Sequence, residues 1–161
     1  MVEHLGLGAF GSVWKAKDTL LDRIVAIKIP RKSQLNNIEA EQFLREARAV
    51  AQLQHPNIVN VHEVGRHENS VFIVSEYVEG VSLKDSLNGP FASRRAAKIT
   101  ATIASALHHA HEQGVIHRDI KPSNIILDLA GQPHVLDFGL AKRDVGELTL
   151  TVSGALIGTP A

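Results

Sequence analysis

The sequence has no cysteine. Disulfides and thiolate-ligated zinc are therefore excluded, and a reducing compartment fits. It also has no net charge, the formal balance being +0 at pH 7. That removes the electrostatic case for nucleic acid or an anionic membrane as a partner. No apolar run approaches the length that crosses a bilayer, and the start lacks the basic and apolar regions of a signal peptide. No internal repeat or low-complexity segment is present. These absences leave the expectation of a soluble chain of 161 residues, 44% hydrophobic, sized for one domain with a sizeable core.

What is present centres on His117-Arg118-Asp119-Ile120-Lys121-Pro122-Ser123-Asn124. This loop holds a carboxylate, two cations, a carboxamide and a proline between a helical pattern and an apolar run. Asp119 is placed to take a proton from an attacking hydroxyl, and Lys121 to neutralise a phosphate. Asn124 offers an oxygen to a divalent cation. A second acid follows in Asp137-Phe138-Gly139. A base, a cation and two oxygen ligands close together read as metal-assisted phosphoryl transfer.

Upstream, Gly6-Leu7-Gly8-Ala9-Phe10-Gly11 fits either a dinucleotide-binding turn or a plain hairpin turn when taken alone. A dinucleotide site needs a helix straight after the glycines. Here the alternating Ser12-Val13-Trp14-Lys15-Ala16 follows, then a polar turn and Arg23 to Ile29, a second strand. The pattern is strand, glycine turn, strand. Lys28 inside that second strand is either a snorkelling edge residue or a buried charge with a partner. Ile38 to about Leu53 reads as a helix with Phe43, Ala47, Val50 and Leu53 on its apolar stripe. Glu46 shares that stripe, so its carboxylate needs a cation, and Lys28 is the candidate. Two strand-like runs follow, Ile58 to Val64 and Val71 to Tyr77. A long amphipathic helix then runs from Ser93, its expected N-cap, to Gln113, with Gly114 ending it. His108, His109 and His111 read as ordinary helix-end residues, which suit the negative end of the dipole.

Together, these motifs in this order resemble the eukaryotic-type serine/threonine protein kinase domain, most of all its bacterial members. The resemblance implies an α+β, bilobal, protein-kinase-like fold over residues 1–161. Residues 1–77 would form the small lobe, an antiparallel sheet with one helix. Residues 78–161 would give the hinge, the start of a mainly helical large lobe, the catalytic loop and a truncated activation segment. It implies transfer of the ATP γ-phosphate to serine or threonine of protein substrates, with Mg2+ or Mn2+. Asp119 then corresponds to the catalytic base and Lys121 to the cation at the transferring phosphoryl. Lys28, paired with Glu46, holds the α- and β-phosphates. Asn124 and Asp137 correspond to the metal ligands.

The same resemblance puts Leu5, Gly6, Gly8, Gly11, Val13 and Ala26 over the nucleotide, with Ile126 beneath adenine. Backbone atoms of Glu76 and Val78 would take the adenine edge, and the small Ser75 would leave the pocket behind it open. His117 would pack on Phe138, completing a stack with Val50 and Val61. Arg118 implies control by a phosphate on the activation segment, with Thr151 and Ser153 the candidate sites and Thr149 next. Thr159 would help select hydroxyl substrates. Self-association for trans-autophosphorylation and a cytoplasmic location, tethered by a segment outside this chain, complete the expectation. The Ala-Pro-Glu motif expected after the activation segment is missing, which reads as a fragment expected to be a poor kinase by itself. The alternative functions are a nucleotide-binding pseudokinase or an inactive remnant acting as an interaction module. The presence of Lys28, Asp119, Asn124 and Asp137 stands against the first, while the missing C-terminal part favours the second.

Overall fold

Alternation of apolar and polar side chains makes the first half of the chain a sheet with a single helix laid against it. The computed structural model describes residues 3–8, 11–30, 37–67, 70–89 and 91–138. Strands β1 (Glu3–Gly8), β2 (Gly11–Asp18), β3 (Arg23–Pro30), β4 (Val61–His67) and β5 (Ser70–Glu76) form one antiparallel sheet, in the order β1-β2-β3-β5-β4. The β1–β2 hairpin closes on the pair Gly8 and Gly11, and a bulge at Leu5 interrupts β1. At the β2–β3 turn, the Asp18 carboxylate accepts from the backbone of Leu20 and Leu21 and from Arg23. Helix α1 (Asn37–Val50) crosses one face of the sheet and buries Ala40 and Leu44 against Val71.

The segment after α1 joins this sheet to the second half of the chain. Asn57, Ile58 and Val59 run beside β8 (Pro133–Val135), with hydrogen bonds Val59 N–H to Val135 O at 3.0 Å and Val135 N–H to Asn57 O at 2.8 Å. Strands β6 (Gly80–Ser82) and β7 (Ile125–Asp128) pair with each other, and β7 with β8. Gly80 is required where β6 meets β7, because a Cβ there would collide with the Leu127 carbonyl. A single turn, α2 (Leu83–Ser86), follows β6 and is capped by the Ser82 hydroxyl.

Helix α3 (Ser93–Glu112) buries Ile99, Ala106 and Ala110. Its N-cap is Ala92, in extended conformation, with no side-chain cap bond. Ser93, expected as the cap, is already the first helical residue. The C-terminus follows the sequence: Gly114 has φ 73°, its N–H bonds to His111 O, and Val115 N–H reaches back to Ala110 O. That is a Schellman ending, available to glycine because it has no Cβ to clash in the left-handed region. His108 sits four residues before Glu112 and pairs with it at 3.7 Å, and His109 stacks near His55. Among the described residues no group of three or more acidic, histidine or cysteine side chains is placed to hold a metal. One apolar cluster then spans both halves: Val50, Leu53 and Ile58 from one side, with Ala106, Ala110, Val135 and Phe138 from the other.

Candidate active site

Directly paired residues of adjacent strands project to the same side of a sheet. Val13 pairs with Lys28, Ala26 with Ser75, and Lys28 with Ile73. Val13, Ala26, Lys28 and Ser75 therefore share one face, the face on which α1 also packs through Val71. Two sequence-distant contacts fix the exit from β5. Glu76 N–H bonds to Asn60 O at 2.9 Å, and the Asn60 amide donates to the Glu76 carboxylate at 2.9 Å. The Lys15 ammonium lies 4.5 Å from the centroid of the Tyr77 ring, a cation–π contact across the start of the link to β6. Neither Asn60 nor Lys15 carries a local signature that would have marked it. Val78 is half-buried in that link, and Leu5 is exposed at the bulge.

The loop between α3 and β7 is organised by His117, which is 2% exposed. Its Nε2 donates to Leu136 O at 2.7 Å, and its Nδ1 accepts from the Asp119 N–H at 3.3 Å. A ring with one donor and one acceptor nitrogen is neutral. Burial, the strongest influence, pushes its pKa below the ordinary 6.5; the Leu136 carbonyl and the charges of Asp137 and Asp119 offset only part of that. The ring also packs on Phe138 at 4.7 Å between centroids. Arg118, between His117 and Asp119, has φ 67°, and Asp137 has φ 58°. Left-handed backbone at two non-glycine residues of one site stores strain of order 1–3 kcal/mol each, which the surrounding bonds must hold.

Asp119 lies inside a small polar network. Its Oδ2 accepts from Lys121 Nζ at 2.6 Å, and Asn124 Nδ2 donates both to the Asp119 carbonyl, at 2.8 Å, and to Oδ2, at 3.3 Å. Burial opposes the charge on Asp119. The Lys121 bond and charge and the Asn124 amide outweigh burial and hold the carboxyl below its ordinary 3.8. Pro122 opens the short 3-10 turn Pro122–Asn124 that carries Asn124 inward, where it is buried. Asn124 N–H closes on Lys121 O, and Leu136 N–H bonds to Asn124 O, both at 2.9 Å. The β7–β8 hairpin thus brings Asn124 and Asp137, at its two ends, to the same place. Ile126 stands half-buried on β7 beside them.

The charged pairs differ from the expected pairing. Lys28 Nζ lies 2.8 Å from Asp137 Oδ1, and Glu46 is met by Arg118 at 3.7 Å. Lys28 and Glu46 are not partners here. Asp137, with φ 58°, presents a carboxylate to the largely buried lysine, and Arg118, with φ 67°, presents a guanidinium to α1. Two cations and two carboxylates are exchanged, so each charge is still compensated. Glu46 does carry a cation, as its place on the stripe demands, but from the loop that holds Asp119. Ala9, Phe10, Gly139, Thr149, Thr151, Ser153 and Thr159 lie outside the described residues.

Comparison with known families matches residues 1–157 to the protein kinase domain. The chain is 40% identical over 163 residues to a probable serine/threonine-protein kinase PknB of Lactococcus lactis subsp. lactis (strain IL1403), covering 99% of this chain and 26% of that protein. It is 41% identical over 158 residues to the serine/threonine-protein kinase PrkC of Bacillus subtilis (strain 168), covering 96% and 24%. The chain thus spans about a quarter of the length of the curated relatives it matches. Among solved structures, PpkA-294 in its apo form superposes with a TM-score of 0.74 at 27% identity, over 86% of this chain and 57% of that one.

Proposed function

The chain belongs to the protein kinase domain family, and on that footing we propose that it carries the phosphoryl-transfer apparatus of an ATP-dependent protein serine/threonine kinase. The observation that carries the reading is the Asp119–Lys121–Asn124 network, joined through Leu136 to Asp137. The described residues do not cage a metal by themselves. The carboxylate of Asp137 and the carboxamide oxygen of Asn124 are hard oxygen donors. They suit Mg2+ or Mn2+, which take one or two protein oxygens and complete their shell with water and phosphate. When bound, such an ion neutralises charge on the phosphate oxygens.

Asp119, ionised at neutral pH, accepts a hydrogen bond from the substrate hydroxyl and orients it; as the hydroxyl oxygen bonds to the γ-phosphorus, the bond from that phosphorus to the β-phosphate oxygen breaks, ADP leaves with that oxygen, and Asp119 receives the hydroxyl proton. Lys121, 2.6 Å from that carboxylate, is in reach of the transferring phosphoryl. Lys28 takes the α- and β-phosphates. With nucleotide and cation bound, Asp137 would hold the cation and Lys28 the phosphates, so neither charge would be left buried and uncompensated. Glu46 then exchanges Arg118 for Lys28, and Arg118 becomes available to a phosphate on Thr151, Ser153 or Thr149. Val13, Ala26 and Ile126 enclose adenine, with the backbone of Glu76 and Val78 at its edge and Leu5, Gly6, Gly8 and Gly11 over the phosphates. We place this work in the cytoplasm, with protein substrates and self-association for trans-phosphorylation. The test is transfer of label from γ-labelled ATP to protein in the presence of Mg2+. Phosphoserine or phosphothreonine is the predicted product, and phosphotyrosine alone contradicts the reading.

A further inference from the structure

A concave space of about 260 Å³ lies away from the site just described, between the first half of α3 and the β7–β8 turn. Ile99 and Pro133, both buried, form its floor, while Arg95, Lys98 and Thr102 line one wall and Gly131 part of the other. The turn is rigid: Asp128 Oδ1 accepts from the N–H groups of Ala130 and Gln132, and its Oδ2 is bonded to His134. The Arg95 guanidinium reaches across to the turn, its Nη2 within 3.8 Å of the position a Gly131 Cβ would take. Arg95 also lies over the Phe91 ring, at 5.0 Å. Among the described residues neither Arg95 nor Lys98 has an acidic partner.

Helix stability does not call for these cations. Arg94, Arg95 and Lys98 sit in the first two turns of α3, which has no acidic residue in its first turn, and positive charge there opposes the dipole. A space this size is below the range that encloses a whole small-molecule ligand, so it suits one side chain of a larger partner. Its floor is aliphatic, and the Phe91 ring is already covered by Arg95, which disfavours a stacking nucleobase.

We propose that the cleft between α3 and the β7–β8 turn docks an acidic peptide segment, an aliphatic side chain filling the floor and flanking carboxylates meeting Arg95 and Lys98. The proposal deepens the kinase reading and rests on it for its purpose. The β7 strand runs from the turn to Asn124, about 13 Å at 3.3 Å per residue. A substrate held at the turn would be tethered close to the catalytic loop, raising its effective concentration there.

The test is fluorescence anisotropy of a fluorescein-labelled peptide, Asp-Glu-Leu-Glu-Glu-Asp, titrated with the chain. Saturable binding is expected, weakened roughly tenfold by Arg95→Glu with Lys98→Glu. A smaller loss is expected for Arg95→Gln with Lys98→Gln, with thermal melts of both variants no lower than the parent's. Replacing the peptide's leucine by glycine should weaken binding too. Unchanged affinity in both double variants overturns the proposal. So does equal affinity for the glycine peptide, or tighter binding of a single-stranded oligodeoxynucleotide of the same charge. The titration needs no ATP, so its outcome is independent of whether phosphoryl transfer occurs.

Discussion

His117 is buried against Phe138, with one ring nitrogen donating and the other accepting, and burial holds its pKa below the ordinary 6.5. The unfolded chain therefore binds this proton at a higher pH than the folded one does. Stability is full above the unfolded value and declines as pH falls from about 6.5 toward the folded value. His55 and His62 are depressed in the same direction, so they add to the slope. Denaturation midpoints measured from pH 8 to pH 5 should fall, and His117→Gln should make that fall shallower. An identical slope in the variant would mean that His117 titrates as it does in water. The exchanged ion pairs make a second prediction. In a double-mutant cycle on stability, Lys28→Met and Asp137→Asn should couple by roughly 0.5 kcal/mol or more, and Lys28→Met and Glu46→Gln should be additive. Coupling of Lys28 to Glu46 in the ligand-free chain would contradict the observed pairing.

Among the elements, α3 shows how a local signal sets a distant geometry. Its Schellman ending turns the chain three residues before His117, and no atom stands within 4 Å of a Cβ added at Gly114. Gly114→Ala should therefore cost about 1–2 kcal/mol through backbone conformation alone, and Gly114→Asn less. Chemical denaturation of the two variants checks this, and an alanine variant as stable as the parent would show that the loop does not depend on this cap. That helix end was legible because glycine has a conformational reason to be there. The glycine-turn hairpin and α1 were legible by period. The beginning of α3 was not: Ser93 has the chemistry of a cap, but the extended backbone falls at Ala92. The short β6 and α2 carry too few residues for any period. In the site, the residue types were legible and the partners were not. Whether Glu46 meets Lys28 or Arg118 depends on contacts between residues distant in sequence, which no local pattern records.

At the scale of the whole molecule, among the described residues, an apolar cluster joins the first half of the chain to the loop around His117: Phe138, 1% exposed, touches both that core and His117. Phe138→Ala should cost about 3–5 kcal/mol, since it removes a large side chain from a packed interior. Because the cluster includes Val50 and Leu53 as well as Ala106 and Ala110, a calorimetric melt should shift as one transition. Two separated transitions would show that the halves are stabilised independently. The central claim, that the loop around Asp119 performs phosphoryl transfer and is not only a nucleotide-binding surface, is tested most directly by Asp119→Asn. The carboxylate acts on the attacking hydroxyl, not on the nucleotide. Transfer of labelled phosphate should fall by orders of magnitude while ATP affinity, measured on the same protein, stays within about twofold of the parent. Transfer at the parent's rate in the Asp119→Asn protein would contradict it.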